Sequence, residues 1–199
     1  MDLIAGDTAG NVWLFLNTGT KERPELAQKE HVKVDGKLIT SKSNLLAEIY
    51  SKVHMADWDG DGLKDLLVGH INTIIMYKNV GTQSAPRFQA PVKIKGNFPN
   101  RPSPYVVDWD GDGKKDLLVG CEEPKVYFYR NIGTDKNPLL ADGEDLKLRI
   151  PEPNAGYRWR IAVTDWNNDG KQDILVGNIY TVREARGRAG GNIWLFLGE

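Results

Sequence analysis

Oxygen-bearing side chains recur at fixed spacing in three loops of this chain. Asp57, Asp59, Asp61 and Asp65 occupy positions 1, 3, 5 and 9 of the first. Asp108, Asp110, Asp112 and Asp116 repeat the pattern, and Asp165, Asn167, Asp169 and Asp173 repeat it again. Alternating acceptors on a tight loop point inward around one centre. That is the chemistry of a hard cation such as calcium, which takes about six to eight oxygens at roughly 2.3–2.6 Å in a tolerant geometry. Position 6 is Gly62, Gly113 or Gly170, and glycine accepts the positive φ that curls a chain around an ion. Position 7 (Leu63, Lys114, Lys171) need supply only its backbone carbonyl, so its side chain is free to vary.

The helix-loop-helix calcium site begins alike but requires a bidentate Glu at position 12. Here position 12 is Val68, Val119 or Val176, inside a short apolar run that reads as a buried strand. The loops are therefore strand-loop-strand calcium sites, three in number. An ion-free Asx turn uses the same residue types. Three copies at one spacing, each crowding three or four acidic groups, argue against it.

The elements that position these loops also repeat. A strand enters each loop (Val53 to Asp57, Tyr105 to Asp108, Ile161 to Asp165), and a short apolar strand leaves it. A turn and an aromatic-rich strand follow: Val12–Leu16, Ile74–Tyr77, Val126–Tyr129 and Ile193–Leu197. The first three of these continue into Asn-x-Gly-Thr. A further strand, for example within Phe88–Ile94, closes the unit. Loop-to-loop periods of 51 residues (Asp57 to Asp108) and 57 residues (Asp108 to Asp165) suit four-stranded antiparallel propeller blades. The fold class is all-β: a β-propeller with about four blades in one repeat domain over 1–199, with units at about 1–52, 53–104, 105–160 and 161–199. With strands labelled a to d, the order reads bcd, abcd, abcd, abc. Trp58, Trp109 and Trp166 at loop position 2 are expected to pack between blades. The excursion Thr20 to Ser51 includes a short helical turn at Leu45 to Tyr50, and Leu139 to Pro153 reads as an acidic surface linker.

Composition narrows the function classes. The formal net charge is -1, so no broad basic field suggests nucleic acid. No apolar run approaches a membrane span. Cys121 is the single cysteine, which excludes a disulfide framework. His31, His54 and His70 show no zinc spacing, and neither a nucleophile elbow nor a phosphate loop is present.

At the Asp-x-Asp-x-Asp-Gly-x-x-Asp-Leu-Leu-Val-Gly signature (Asp57 to Gly69, Asp108 to Gly120, and the Asn- and Ile-bearing Asp165 to Gly177) the chain resembles the FG-GAP/VCBS repeat family. These are the calcium-binding propeller repeats of integrin α heads and many secreted bacterial proteins. The resemblance implies a calcium-stabilised propeller used for recognition or as an accessory domain, in a calcium-rich extracellular setting; it implies no catalytic residue. Family members usually close with more blades, so three arrangements stand open. The chain is part of a larger propeller, which we favour; or two copies complete one ring; or it closes alone.

Ligand contacts are expected where one unit differs from the others. The turn at 178–191 is long and carries Tyr180, Arg183, Arg186 and Arg188; Tyr157 and Trp159 flank arginines on the strand entering the third loop. Arginine forks suit carboxylates and sulfates, which points to an acidic glycan, with a protein ligand as the other partner class. The first reading is non-catalytic recognition of glycan or protein. A second is part of a propeller-fold polysaccharide lyase or hydrolase, with Tyr180 imagined as a base; a carboxylate that holds calcium is a poor general acid. A third is a structural assembly module.

Overall fold

The structure, a computed structural model, describes residues 2–39, 50–151, 154–182 and 188–198. Among these there are strands and turns and no helix, so none is long and apolar enough to cross a membrane. Leu45–Tyr50, expected as a helical turn, lies outside the described residues except for Tyr50, which is irregular.

Four antiparallel sheets follow one another along the chain. The first holds β1 (Leu3–Gly6), β2 (Val12–Phe15) and β3 (Glu30–His31), and a small hairpin of β4 (Lys33–Val34) and β5 (Lys37–Leu38) succeeds it. The second runs β6 (Lys52–Ala56), β7 (Asp65–His70), β8 (Thr73–Tyr77), β9 (Val92–Lys93). The third runs β10 (Ser103–Val107), β11 (Asp116–Gly120), β12 (Val126–Tyr129), β13 (Glu144–Asp145). The fourth has β14 (Tyr157–Thr164), β15 (Asp173–Val182) and β17 (Ile193–Phe196), and the far end of β15 also pairs with β16 (Arg188–Gly190). The sheets are thus bcd, abcd, abcd and abc, the blade pattern expected from the repeats.

The core lies between sheets, and side-chain alternation explains why the central strands are apolar throughout. Successive residues of a strand face opposite sides. Leu66 and Val68 of β7 pack toward the first blade with Val12, Val32 and Ile39. Leu67, between them, packs toward the third with Leu117 and Val119 of β11. Leu118 of β11 faces the fourth blade, meeting Ile174 and Val176 of β15. Trp58, at position 2 of the first loop, is buried in the core between the second and third blades, and Trp109 packs at the edge of the next. Position 2 of the third loop, Trp166, is 59% exposed.

The seams between blades are backbone contacts. Gly6, Gly69 and Gly120 end the b strands, and a Cβ on each would stand 2.0, 1.8 and 2.5 Å from the carbonyl oxygens of Ser51, Pro102 and Trp159 respectively. Ser51 and Pro102 immediately precede the a strand of the next blade and Trp159 lies within it, so glycine is required there by close approach. At the matching place in the fourth blade, Gly177, the nearest atom is the Arg160 carbonyl oxygen at 3.9 Å. The face beyond it is open: Ile193 is 78% exposed, whereas its counterparts Val12, Ile74 and Val126 are 0% exposed.

Two segments do more than their composition suggests. Within the acidic stretch Leu139–Pro153, β13 adds the fourth strand of its blade, and Ile150, Leu146 and Leu148 join the third core. The Thr20–Ser51 excursion carries β3, β4 and β5, and Val32, Val34 and Ile39 enter the first core. Short apolar singles between charges carry little periodic signal, yet each lands on a blade face.

Candidate metal centres

Each Asp-rich loop joins the a and b strands of its blade. Positions 4 and 6 take left-handed backbone: Gly60 and Gly62 (φ 73° and 89°), Gly111 and Gly113 (73° and 84°), Asn168 and Gly170 (58° and 85°). The position 6 N–H donates to the carboxylate at position 1: Gly62 to Asp57 at 3.1 Å, Gly113 to Asp108 at 3.0 Å, Gly170 to Asp165 at 2.9 Å. The position 7 N–H donates to position 5, from Leu63, Lys114 and Lys171 to Asp61, Asp112 and Asp169, each at 2.9 Å. These bonds curl the loop.

Position 9 has a second duty. Asp65, Asp116 and Asp173 are buried, and each ties the loop to the c strand. Asp65 accepts from the Trp58 and Asn79 N–H groups at 3.1 and 2.9 Å. Asp116 does so from Trp109 and Asn131 at 3.0 and 2.7 Å, and Asp173 from Trp166 and Gly198 at 2.7 and 2.8 Å. Asp2 accepts from the Asn17 N–H at 2.8 Å, keeping that clasp in the first blade. An oxygen holding one N–H retains a lone pair for an ion.

Two loops gather carboxylates as a cation would need them. One oxygen each from Asp57, Asp59 and Asp61 lie within 4.8 Å of one another, and the same holds for Asp108, Asp110 and Asp116. Asp57 Oδ1, Asp59 Oδ1 and Asp108 Oδ1 are buried and meet no donor. A buried carboxylate oxygen without a partner is costly; one hard cation in the first loop would satisfy the Asp57 and Asp59 oxygens, and another in the second loop that of Asp108. An all-oxygen donor set suits calcium or magnesium rather than zinc or copper. In the third loop, Asn167 replaces the carboxylate at position 3, and both Asp165 oxygens accept backbone N–H groups, from Asp169 and Gly170. The described residues there form no three-carboxylate group.

Protein cations border the first two loops. Lys78 Nζ pairs with Asp59, and with Asp61 at 2.7 Å; Arg130 pairs with Asp110 at 2.6 Å. Lys115 reaches Asp57 at 3.6 Å and Asp135 at 3.1 Å. The hydrogen bond from Lys78 holds the Asp61 carboxyl below its ordinary range, as that from Lys114 does for Asp112. Burial foremost, opposed by the two N–H bonds and reinforced by the neighbouring carboxylates, pushes Asp65 and Asp116 upward. Lys78 and Arg130 fill one repeat position, directly before Asn-x-Gly-Thr, where the last unit has Leu197. That recurring base is legible in the sequence, though the Asp spacing alone does not point to it.

The expected ligand contacts fall in several surroundings. Tyr157 opens β14, with the Arg158 guanidinium 5.4 Å from its ring centre. Trp159 is fully buried in the third core and donates to the Ala155 carbonyl at 2.8 Å, so its ring serves packing. Tyr180 stands opposite Gly190 in the β15–β16 arm, whose return strand Arg188 begins. Arg183 and Arg186 lie outside the described residues.

A family model for the FG-GAP-like repeat matches the chain twice, over residues 57–119 and 108–176. Each match begins at position 1 of one loop and ends in the b strand that leaves the next. Together they run over more than half of the chain. No curated protein matches it significantly.

Proposed function

Because the chain belongs to the FG-GAP-like repeat family, we propose that it is a calcium-stabilised β-propeller module that recognises a glycan or a protein ligand and performs no chemistry on it. The supporting observation is the set of buried, unpartnered oxygens of Asp57, Asp59 and Asp108 inside loops that already curl around a centre. Calcium supplies positive charge and coordination there; Asp57, Asp59, Asp61 and Asp65 hold it in the first loop and Asp108, Asp110, Asp112 and Asp116 in the second, with the carbonyls of Leu63 and Lys114. The third loop offers Asp165, Asn167, Asp169, Asp173 and the Lys171 carbonyl, a set with one charge fewer. Loops of this openness fill where calcium is abundant, so the module works outside the cell.

Isothermal titration of metal-stripped protein is the direct test. Two calcium ions are expected to bind with similar affinity and a third more weakly. Absence of any calcium heat, with no metal found in the protein as purified, would refute the reading. Lys78 bears on the same measurement. Its ammonium repels an incoming ion, so Lys78→Gln is expected to tighten the first site by about fivefold, given a charge a few ångströms away near the surface. The same variant should melt earlier in chelator, because Asp59 and Asp61 then lose their counter-charge.

The open face of the fourth blade, with Ile193, Leu195 and Leu197 exposed, seats a further blade in this reading. Propeller continuation within the same protein is the first source and a second copy of the chain the other. Light scattering separates them, since a self-completing pair doubles the mass in calcium.

A further inference from the structure

The calcium loops leave a second charged cluster unexplained. It lies where the a strands begin. Counting back from position 1 of each loop, Tyr50, Arg101 and Arg158 share one repeat position, and Lys52, Ser103 and Arg160 share the place two residues on. The first three converge: the Arg101 and Arg158 guanidiniums stand 4.6 and 4.8 Å from the centre of the Tyr50 ring, and Lys52 Nζ stands 5.0 Å from it. Glu122 binds Arg101 at 2.8 Å and Arg158 at 3.4 Å. Lys52 is buried against neutral groups: its Nζ donates to the Tyr50 carbonyl at 3.5 Å and stands over the Tyr50 ring. Arg160 donates to the Trp159 carbonyl at 3.0 Å. Among the described residues, neither Lys52 nor Arg160 forms an ion pair with a carboxylate. Burial first, and then neighbouring guanidiniums, bring Lys52 down to about 7; burial brings Arg160 down to about 10, with Glu122 opposing and Arg158 and Arg101 adding to the fall. Among the described residues, Glu122 thus pairs with Arg101 and Arg158, while Lys52 and Arg160 stand nearby without a carboxylate of their own.

A cavity of about 520 Å³ opens on this cluster. Arg158 and Arg160 line it from β14, Gly177 and Asn178 from β15, Asn192 and Ile193 from the start of β17, Tyr50 from the strand entry of the second blade, and Thr8 from the first. Gly177 and Ile193 edge the open face of the fourth blade, so this is the cavity of the chain with that face uncovered. Asn178 is committed to the Asn154 and Ala155 carbonyls and to the Asn192 N–H, so it fixes the wall. Asn192 and Thr8 offer polar groups beside the guanidiniums. The volume suits a monosaccharide or a disaccharide. Guanidinium forks take a carboxylate with two parallel bonds, and amide and hydroxyl groups take sugar hydroxyls.

We propose that this cavity binds a hexuronate unit, its carboxylate held by Arg160 and Arg158 and its hydroxyls by Asn192 and Thr8. The assignment rests on the reading of the chain as a recognition module, and it names the ligand class and the place.

Calorimetric titration of the calcium-saturated chain at fixed ionic strength tests it, with galacturonate, galactose and acetate as probes. Galacturonate is expected to bind, galactose not to bind, and acetate to bind at least tenfold more weakly than galacturonate. Arg160→Met should weaken galacturonate at least tenfold. Lys52→Met, which removes a buried charge beside guanidiniums, should weaken it several-fold while melting no earlier than the parent. No binding of galacturonate, equal binding of galactose, equal binding of acetate, or unchanged affinity in both variants would each overturn the proposal. A melting temperature that responds to calcium without any uronate binding removes this inference and leaves the calcium reading standing. Uronate binding with no calcium response does the reverse.

Discussion

Saturating calcium is expected to raise the melting temperature of the metal-stripped chain by on the order of 10–20 °C. A site filled at about a hundred times its dissociation constant adds about 2.7 kcal/mol to the folded state. Two such sites add roughly twice that, and for a chain of this length each kcal/mol shifts melting by about 2–4 °C. The gain has a local cause. Carboxylates that crowd one another without an ion become ligands, and each loop fixes the junction between two strands of its blade. Asp57→Asn and Asp108→Asn together separate this cause from a general salt effect. Asparagine keeps an oxygen for the Gly62 and Gly113 N–H groups that Asp57 and Asp108 accept at 3.1 and 3.0 Å. The variant should therefore melt within a few degrees of the parent in chelator while losing most of the calcium increment. Magnesium, which demands a tighter octahedron, should reproduce only a small part of it. Calorimetric melts in calcium, magnesium and chelator settle the matter: coincident curves from a protein verified metal-free would end the calcium reading.

The repeated features were the legible ones. Blade order, the two-faced burial of Leu66–Val68 and Leu117–Val119, and the left-handed turn at position 6 all follow from residues that recur at one spacing. Ile174–Val176 repeats the run, yet only Ile174 and Val176 are buried, because the face that Leu175 shares with Leu195 is open. Repetition turns a weak local signal into a strong one, because the same chemistry must be solved at each blade. What could not be read is what occurs once or joins distant segments. Ile150, Leu146 and Leu148 sit singly among charges, and nothing local says that they fill the third core. Arg101 and Arg158 share one repeat position with Tyr50, which breaks the match, so the sequence does not say that the three meet. Their meeting is a product of blade packing, which brings the strand entries of the second, third and fourth blades together. Asp65, Asp116 and Asp173 were legible as loop oxygens, whereas their clasp on the c strand needed the register of the sheet. Lys78 and Arg130 show a middle case, with a shared place and charge whose bearing on the loop carboxylates appears only in three dimensions.

Gly69→Ala and Gly177→Ala change the same repeat position in the same way, and they are expected to differ by at least about 3 kcal/mol. Overpacking a well-filled site costs roughly 1–3 kcal/mol when side chains can yield. At Gly69 the obstacle is the Pro102 carbonyl, 1.8 Å from the new Cβ, with Pro104 Cδ at 3.0 Å. Neither is the flexible end of a side chain, so the second and third blades must part and the core around Trp58, Leu67, Leu117 and Val119 must loosen with them. Melting should fall by about 10 °C or more, and the variant should bind more hydrophobic dye. At Gly177 the nearest atom is 3.9 Å away, and alanine in a strand is favoured over glycine by the unfolded chain's lost freedom. That variant should melt within about 2 °C of the parent as an isolated chain. The pair also reports on what covers the fourth blade. A second copy seated there would bring a backbone against Gly177, as Pro102 lies against Gly69. Gly177→Ala would then lower the mass seen by light scattering while leaving the monomer's fold intact. If instead the chain is monomeric in calcium and Gly177→Ala is silent in both melting and mass, no second copy covers the open face. Equal, small effects at both glycines would mean that the seam is not a backbone contact, and the blade packing described above would be wrong.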